Sequence, residues 1–158
     1  MSDLSNFTFD DLQIGQTATF TRTASEEAVK LFAAVSGDTN PVHLDAEFAA
    51  GTMFKERIAH GMYTGGLISA AIAMEMPGPG TIYLGQELRF ERPVKLGDAI
   101  TITLEVIEKI DGKNFVKLKT TATNQDGKVV VSGTATVMPP KEQLTMPRLP
   151  EPKVTLEG

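Results

Sequence analysis

The chain contains no cysteine. That absence excludes a disulfide framework, a thiolate nucleophile and any zinc or iron–sulfur site built on cysteine, and it fits a reducing compartment. Histidine is nearly as scarce, with two residues in 158, His43 and His60. Basic charge is short as well: 15 Lys and Arg stand against 20 Asp and Glu, for a formal net charge of -5 and a pI near 5.0. With no cluster of Lys and Arg interleaved with aromatic residues, a nucleic-acid partner is not expected. Nor is a membrane partner. The longest apolar run, Gly61 to Met76, contains Glu75 and falls short of the ~20 residues that cross a bilayer. The opening stretch "MSDLSNFTFDD" is polar and acidic, unlike a signal or transit peptide, so the expected location is cytoplasmic.

What remains is ordinary globular material, 41% hydrophobic and 22% charged, in a length that suits one domain. "SEEAVKLFAAVSG" predicts a helix with Ser25 as N-cap, Glu26 and Glu27 in its first turn, Ala28, Leu31, Phe32 and Val35 on one face and Gly37 as its stop. "DAEFAAG" predicts a single helical turn before the irregular "TMFKERIAHG". Gly61 to Met76, stopped by "PGPG", is apolar nearly all round and rich in small residues (Gly65, Gly66, Ala70, Ala71, Ala73), which suits a central helix closely wrapped by a curved sheet. "QTATFTRTA" predicts an early strand. From Thr81 the period changes to that of strands in four blocks, the last three joined by the Asp-Gly turns "DGKN" and "NQDGK" and preceded by the longer bend "RPVKLGDA".

The expected plan is therefore α+β: strand, helix, irregular loop, apolar helix, then a four-stranded antiparallel meander. The tail from Pro139 onward holds five of the nine prolines and reads as an extended arm, so the expected division is a domain at 1–140 with a Pro-rich extension at 141–158. Open strand edges make self-association, most simply a homodimer, the expectation.

Chemistry is concentrated in "SGDTNPVHLDAEFA". Gly37 ends a helix and Pro41 stiffens the following turn, so Asp38 and His43 lie on one rigid loop that aims two polar groups at a shared point. Alone, Asp38 would equally serve as a cap for the short helix after it, and His43 as a structural histidine. His60, in "AHGM", reads first as structural, orienting the entrance to the apolar helix. Asp38, His43 and His60 fit no short metal-ligand spacing, and no metal is expected. Gly61 begins that helix, where its N–H would suit an oxygen that gains negative charge, although an N-terminal glycine also simply eases chain entry. Ser69 is open to the ordinary reading of a helix serine bonding back to a carbonyl. "PGPG" is a turn rather than a phosphate-binding loop.

"FAAVSGDTNPVHLDAEFAA" resembles the signature of the MaoC-like (R)-specific enoyl-CoA hydratases, with Phe32, Ser36, Gly37, Asp38, Asn40, Pro41, Val42, His43 and Ala49 in the family's pattern. "AHGMYTGGLIS" resembles the family's helix entrance, and "YLGQELRFERPVKLGD" its strand and turn. The resemblance spans about Gly15 to Met138. It implies the hot-dog fold, a single antiparallel sheet wrapped around a long central helix, and assembly as a dimer. It also implies the reversible hydration of trans-2-enoyl-CoA to (R)-3-hydroxyacyl-CoA, which makes the protein a hydro-lyase acting on an acyl-CoA thioester. Asp38 and His43 would be the catalytic residues, the Gly61 N–H the oxyanion donor, and Ser69 and Asn40 supporting residues. No cofactor is implied, since coenzyme A enters only as part of the substrate. A dehydratase acting on 3-hydroxyacyl-carrier protein, a hot-dog thioesterase and a non-catalytic acyl-CoA-binding module are the alternatives.

Overall fold

The computed structural model describes residues 2–157. In chain order the elements are β1 (Leu4–Ser5), β2 (Thr17–Thr23), α1 (Glu26–Ser36), α2 (Pro41–Leu44), α3 (Ala46–Ala50), α4 (Gly61–Met74), β3 (Ile82–Phe90), β4 (Ala99–Ile110), β5 (Phe115–Thr123), β6 (Val129–Met138) and β7 (Thr145–Met146). A five-stranded antiparallel sheet in the order β2-β4-β5-β6-β3 curves around α4. This is the helix-in-sheet arrangement of the hot-dog fold.

The alternation of the long strands places one side of each against the helix. Ile100, Ile102, Leu104 and Val106 of β4, Val116 and Leu118 of β5, and Ala135 and Val137 of β6 are buried, two residues apart as the pleat requires. They form one core with Leu67, Ile68, Ala71 and Ile72 of α4. The Asp-Gly turns make the expected hairpins, with Gly112 at φ 85° and Gly127 at φ 73°. In β6, a Cβ on Gly133 would lie 1.8 Å from the Glu87 carbonyl oxygen; only glycine lets β3 approach so closely.

Two expectations need correction. The meander has three consecutive strands, β4-β5-β6, and β3 is not beside β4 but on the far edge, paired with β6. The bend after β3 is bound elsewhere: Ala59 N–H donates to Val94 O (2.8 Å), Gly97 N–H to Ala24 O (2.8 Å) and Ala24 N–H to Asp98 O (2.8 Å). Those bonds carry the chain across the molecule rather than back along β3. On α1 the buried residues are Val29 and Ala33, whereas Val35, expected on the inner face, is 85% exposed. The apolar stripe of α1 is wider than the surface it covers, and Ala28, Leu31 and Val35 line an open groove beside Tyr63 and Leu67.

The tail runs back over the body. β7 pairs with β1, the Asn6 side chain accepts from Leu144 N–H (2.9 Å) and donates to Pro79 O (2.9 Å), and Arg22 pairs with Glu151. Residues 147–157 contain no helix or strand. Among the described residues, no helix is long and apolar enough to cross a membrane.

Candidate active site

The loop after α1 is built from side chains bonding to nearby backbone. Gly37 takes φ 81° and its N–H donates to Ala33 O, ending the helix in the left-handed conformation glycine permits. Ser36 Oγ donates to Phe32 O (2.6 Å) and accepts from Asp38 N–H (3.1 Å). Asp38 Oδ1 then accepts from Asn40 N–H (3.2 Å), and Asn40 Oδ1 from Val42 N–H (3.1 Å). Asn40, not Asp38, caps α2, and Pro41 occupies its first turn, where its missing N–H costs nothing. The sequence left this helix as a stiff loop, because four residues carry no periodicity to read.

This relay places His43 in the third position of α2, buried, with Asp38 Oδ2 3.9 Å from His43 Nε2. The Asp38 side chain is half exposed. The segment Arg57–His60 closes over the pair like a strap. His43 Nδ1 lies 2.7 Å from Ile58 O, and since a carbonyl only accepts, that nitrogen carries the proton. Arg57 Nε donates to His43 O (2.8 Å), while its terminal nitrogen binds Glu26 at 2.9 Å. That contact and the charges of Lys30 and Arg57 hold the Glu26 carboxyl below the usual carboxylate range. His60 Nε2 lies 2.9 Å from Asp38 O, and by the same logic donates to it. The two imidazoles stack with centroids 3.8 Å apart and planes 26° apart, and Phe32 packs edge-on against His60 at 4.9 Å.

Asp38, His43 and His60 each offer a ligand atom within 4.8 Å of the others, the arrangement a metal would need. Each ring has one nitrogen at hydrogen-bond distance from a carbonyl, and the two rings stack.

Gly61 follows His60 directly and is the first residue of α4, so its N–H has no intrahelical partner and sits at the positive end of the helix dipole. A Cβ there would meet Phe90 Cε1 at 2.9 Å. Ile58, His60, Gly61, Thr64, Phe90 and Val94 are among the residues lining a pocket of about 340 Å³. Ser69 is exposed, eight residues along α4 and so about 12 Å from Gly61, on a face with Met62, Gly66 and Ala73. Asp38, Asn40 and His43 share the loop and α2, Gly61 adjoins them through His60 and lines the pocket, whose lining does not include those three, and Ser69 lies apart. The sequence did not single out Arg57, Ile58 or Thr64. Two of them act on the pair from a segment without pattern, one of those through a backbone carbonyl that no side chain announces.

The MaoC like domain model matches residues 11–128. The chain is 48% identical over 132 residues to the (R)-specific enoyl-CoA hydratase of Rhodospirillum rubrum, covering 84% of this chain and 91% of that one. It is 43% identical over 135 residues to the 3-hydroxybutyryl-CoA dehydratase of Methylorubrum extorquens, covering 85% of each. Its fold superposes on the unliganded R-hydratase PhaJ1 of Pseudomonas aeruginosa with a TM-score of 0.94 at 54% identity, covering 99% of this chain and 100% of that one. A family model spanning most of the chain, two relatives matched nearly end to end and one shared fold lead to a single assignment: the chain belongs to the MaoC-like domain family.

Proposed function

We propose that the protein is an (R)-specific enoyl-CoA hydratase that adds water reversibly, in syn fashion, to a trans-2-enoyl-CoA to give an (R)-3-hydroxyacyl-CoA. The observation that carries this reading is the 3.9 Å gap between Asp38 Oδ2 and His43 Nε2. It is too wide for a direct hydrogen bond. With Nδ1–H committed to Ile58 O, His43 turns Nε2 to the gap as one acceptor, and Asp38 Oδ2 faces it as a second. A water has two protons to give, and two acceptors at this separation are what one water bridges. Its own lone pairs then point away from both, toward a bound β-carbon.

In the forward step the water oxygen bonds to Cβ while Asp38 takes its proton. The C=C electron pair moves toward the thioester, and the pair returns a proton to Cα from the same face, so that OH and H add to one side. His43 holds the water and belongs to that return path. Gly61 N–H donates to the thioester oxygen, where enolate charge develops, and the α4 dipole adds to it. Asn40 supports by fixing α2. The mechanism calls for no metal, flavin or nicotinamide, and coenzyme A is carried in by the substrate. Relatives named for hydration and for dehydration fit a reversible reaction.

The reading also takes the protein to be a homodimer. Within one chain α4 keeps an open face, Met62 57% exposed on it, beside the free edge of β3 with Ile82, Leu84 and Phe90 exposed. A second copy covers both. Ser69 lies on that face and takes its supporting role there.

The test is loss of crotonyl-CoA absorbance by wild type, Asp38→Asn and His43→Gln, with chiral analysis of the alcohol. Wild type yields the (R)-product, and each variant, still folded, loses about 10²–10⁴-fold in rate. A flat absorbance with release of free thiol would replace hydration by thioester hydrolysis.

A further inference from the structure

His60 has no step in the mechanism above, yet it is buried and touches both members of the pair. Asp38 is otherwise fixed only locally: its remaining hydrogen bonds run to Ser36 and Asn40, two residues away on either side. The loop Gly37 to Asn40, between α1 and α2, is exposed throughout. His43, by contrast, is tied to the strap twice, through Ile58 O and Arg57 Nε. The contact from His60 Nε2 to Asp38 O, 22 residues apart in sequence, joins the Asp38 side of the loop to the same strap. His60 is itself held between Phe32 and the His43 ring at the N-cap of α4, where its side chain makes no capping bond. Its Nδ1 is buried with no protein partner, so nothing competes for the proton on Nε2.

From this we infer that His60 is a positioning residue that sets the separation of Asp38 from His43 through its Nε2–H donated to the Asp38 carbonyl. The inference rests on the pair being the water-holding site. A shift of about 1 Å in such a pair costs on the order of 10²-fold in rate; His60 also lines the pocket, so the bond is read in kcat rather than in KM.

The experiment compares His60→Phe, which keeps a flat ring between Phe32 and His43 but has no donor, with His60→Gln, whose amide N–H can reach the same carbonyl. Melting temperatures accompany the kinetics on crotonyl-CoA. Expected for the Phe variant is a fall in kcat of about 10- to 100-fold, and for the Gln variant recovery of most of that kcat. Unchanged kcat in the Phe variant, whatever its KM, or equal loss of kcat in both overturns the inference. A second measurement needs no variant to fold. In long-range ¹H–¹⁵N correlation of the two imidazoles of wild type near pH 8, His43 should be the Nδ1–H form and His60 the Nε2–H form. Any other form of His60 overturns the inference. Should wild type fail to hydrate crotonyl-CoA, the functional reading falls, and the imidazole spectrum still decides whether His60 holds Asp38.

Discussion

At Gly61 two constraints fall on one residue. The proposed role uses only its N–H, which any residue but proline supplies, so the demand for glycine comes from the other side: Phe90, whose ring carbons would lie 2.9 to 3.4 Å from an added Cβ. The clash is with ring atoms of a side chain rather than with backbone, so the ring can shift, and the stability cost of Gly61→Ala should stay within about 1 kcal/mol. The function should be less tolerant, because the ring and the first turn of α4 shape the same pocket. We expect kcat to drop about tenfold in Gly61→Ala and to recover in part when Phe90→Ala is added, with steady-state kinetics on crotonyl-CoA as the measurement. A double variant no better than the single one would mean that Phe90 is not the obstacle.

At the scale of elements, the junction from α1 to α2 carries the chemistry, and its conformation is set by few residues. Gly37, at φ 81°, would cost about 1–2 kcal/mol as an ordinary L-residue, while asparagine tolerates this region better. Melting temperatures should fall in the order Gly37, Gly37→Asn, Gly37→Ala, the last by roughly 2–8 °C for a chain of this size, and an alanine variant as stable as wild type would remove the argument. Glu26, at the other end of α1, anchors Arg57 and through it the strap. Its folded-state pKa is depressed, chiefly by the hydrogen bond from Arg57, so it contributes stability above the ordinary glutamate pKa that is lost as pH falls through the folded value. In thermal melts between about pH 6 and pH 3, Glu26→Gln should show a shallower loss of stability than wild type; parallel curves would show that the ion pair carries none of the acid response.

This junction also marks the limit of what the sequence makes legible. Ser25, Gly37 and the Asp-Gly turns announce themselves because their local chemistry decides their conformation. The pairing of Asp38 with His43 was readable from a motif whose residues bond to one another. The strap was not, since Arg57 and Ile58 act through contacts 14 and 15 residues distant and the segment has neither period nor cap. The position of β3 is hidden for a similar reason: a bend such as "RPVKLGDA" declares its length but not the partners that draw it across the molecule.

For the whole molecule, the two sheet edges differ in a way that bears on where the second copy of the proposed dimer would dock. β2 is a threonine-rich strand, TATFTRT, and its Arg22 is engaged by Glu151 from the tail. β3 presents Ile82, Tyr83, Leu84 and Phe90 exposed next to the open face of α4, and an apolar free edge of this kind is what natural proteins cover. Leu84 lies at the β-bulge of β3, between the Tyr83 and Gly85 pairings, so a charge there meets the partner without removing a core side chain. Leu84→Lys should therefore convert a dimer to a monomer in light scattering after size exclusion and leave the circular dichroism spectrum intact. If Ser69 and the rest of that face complete their surroundings in the proposed dimer, the specific activity of wild type should fall on dilution in step with dissociation, and the Lys variant should start from the diluted value. A Leu84→Lys protein that stays dimeric would move the interface away from β3; a monomeric wild type with full activity would mean that one chain, with Asp38, His43 and Gly61 alone, suffices.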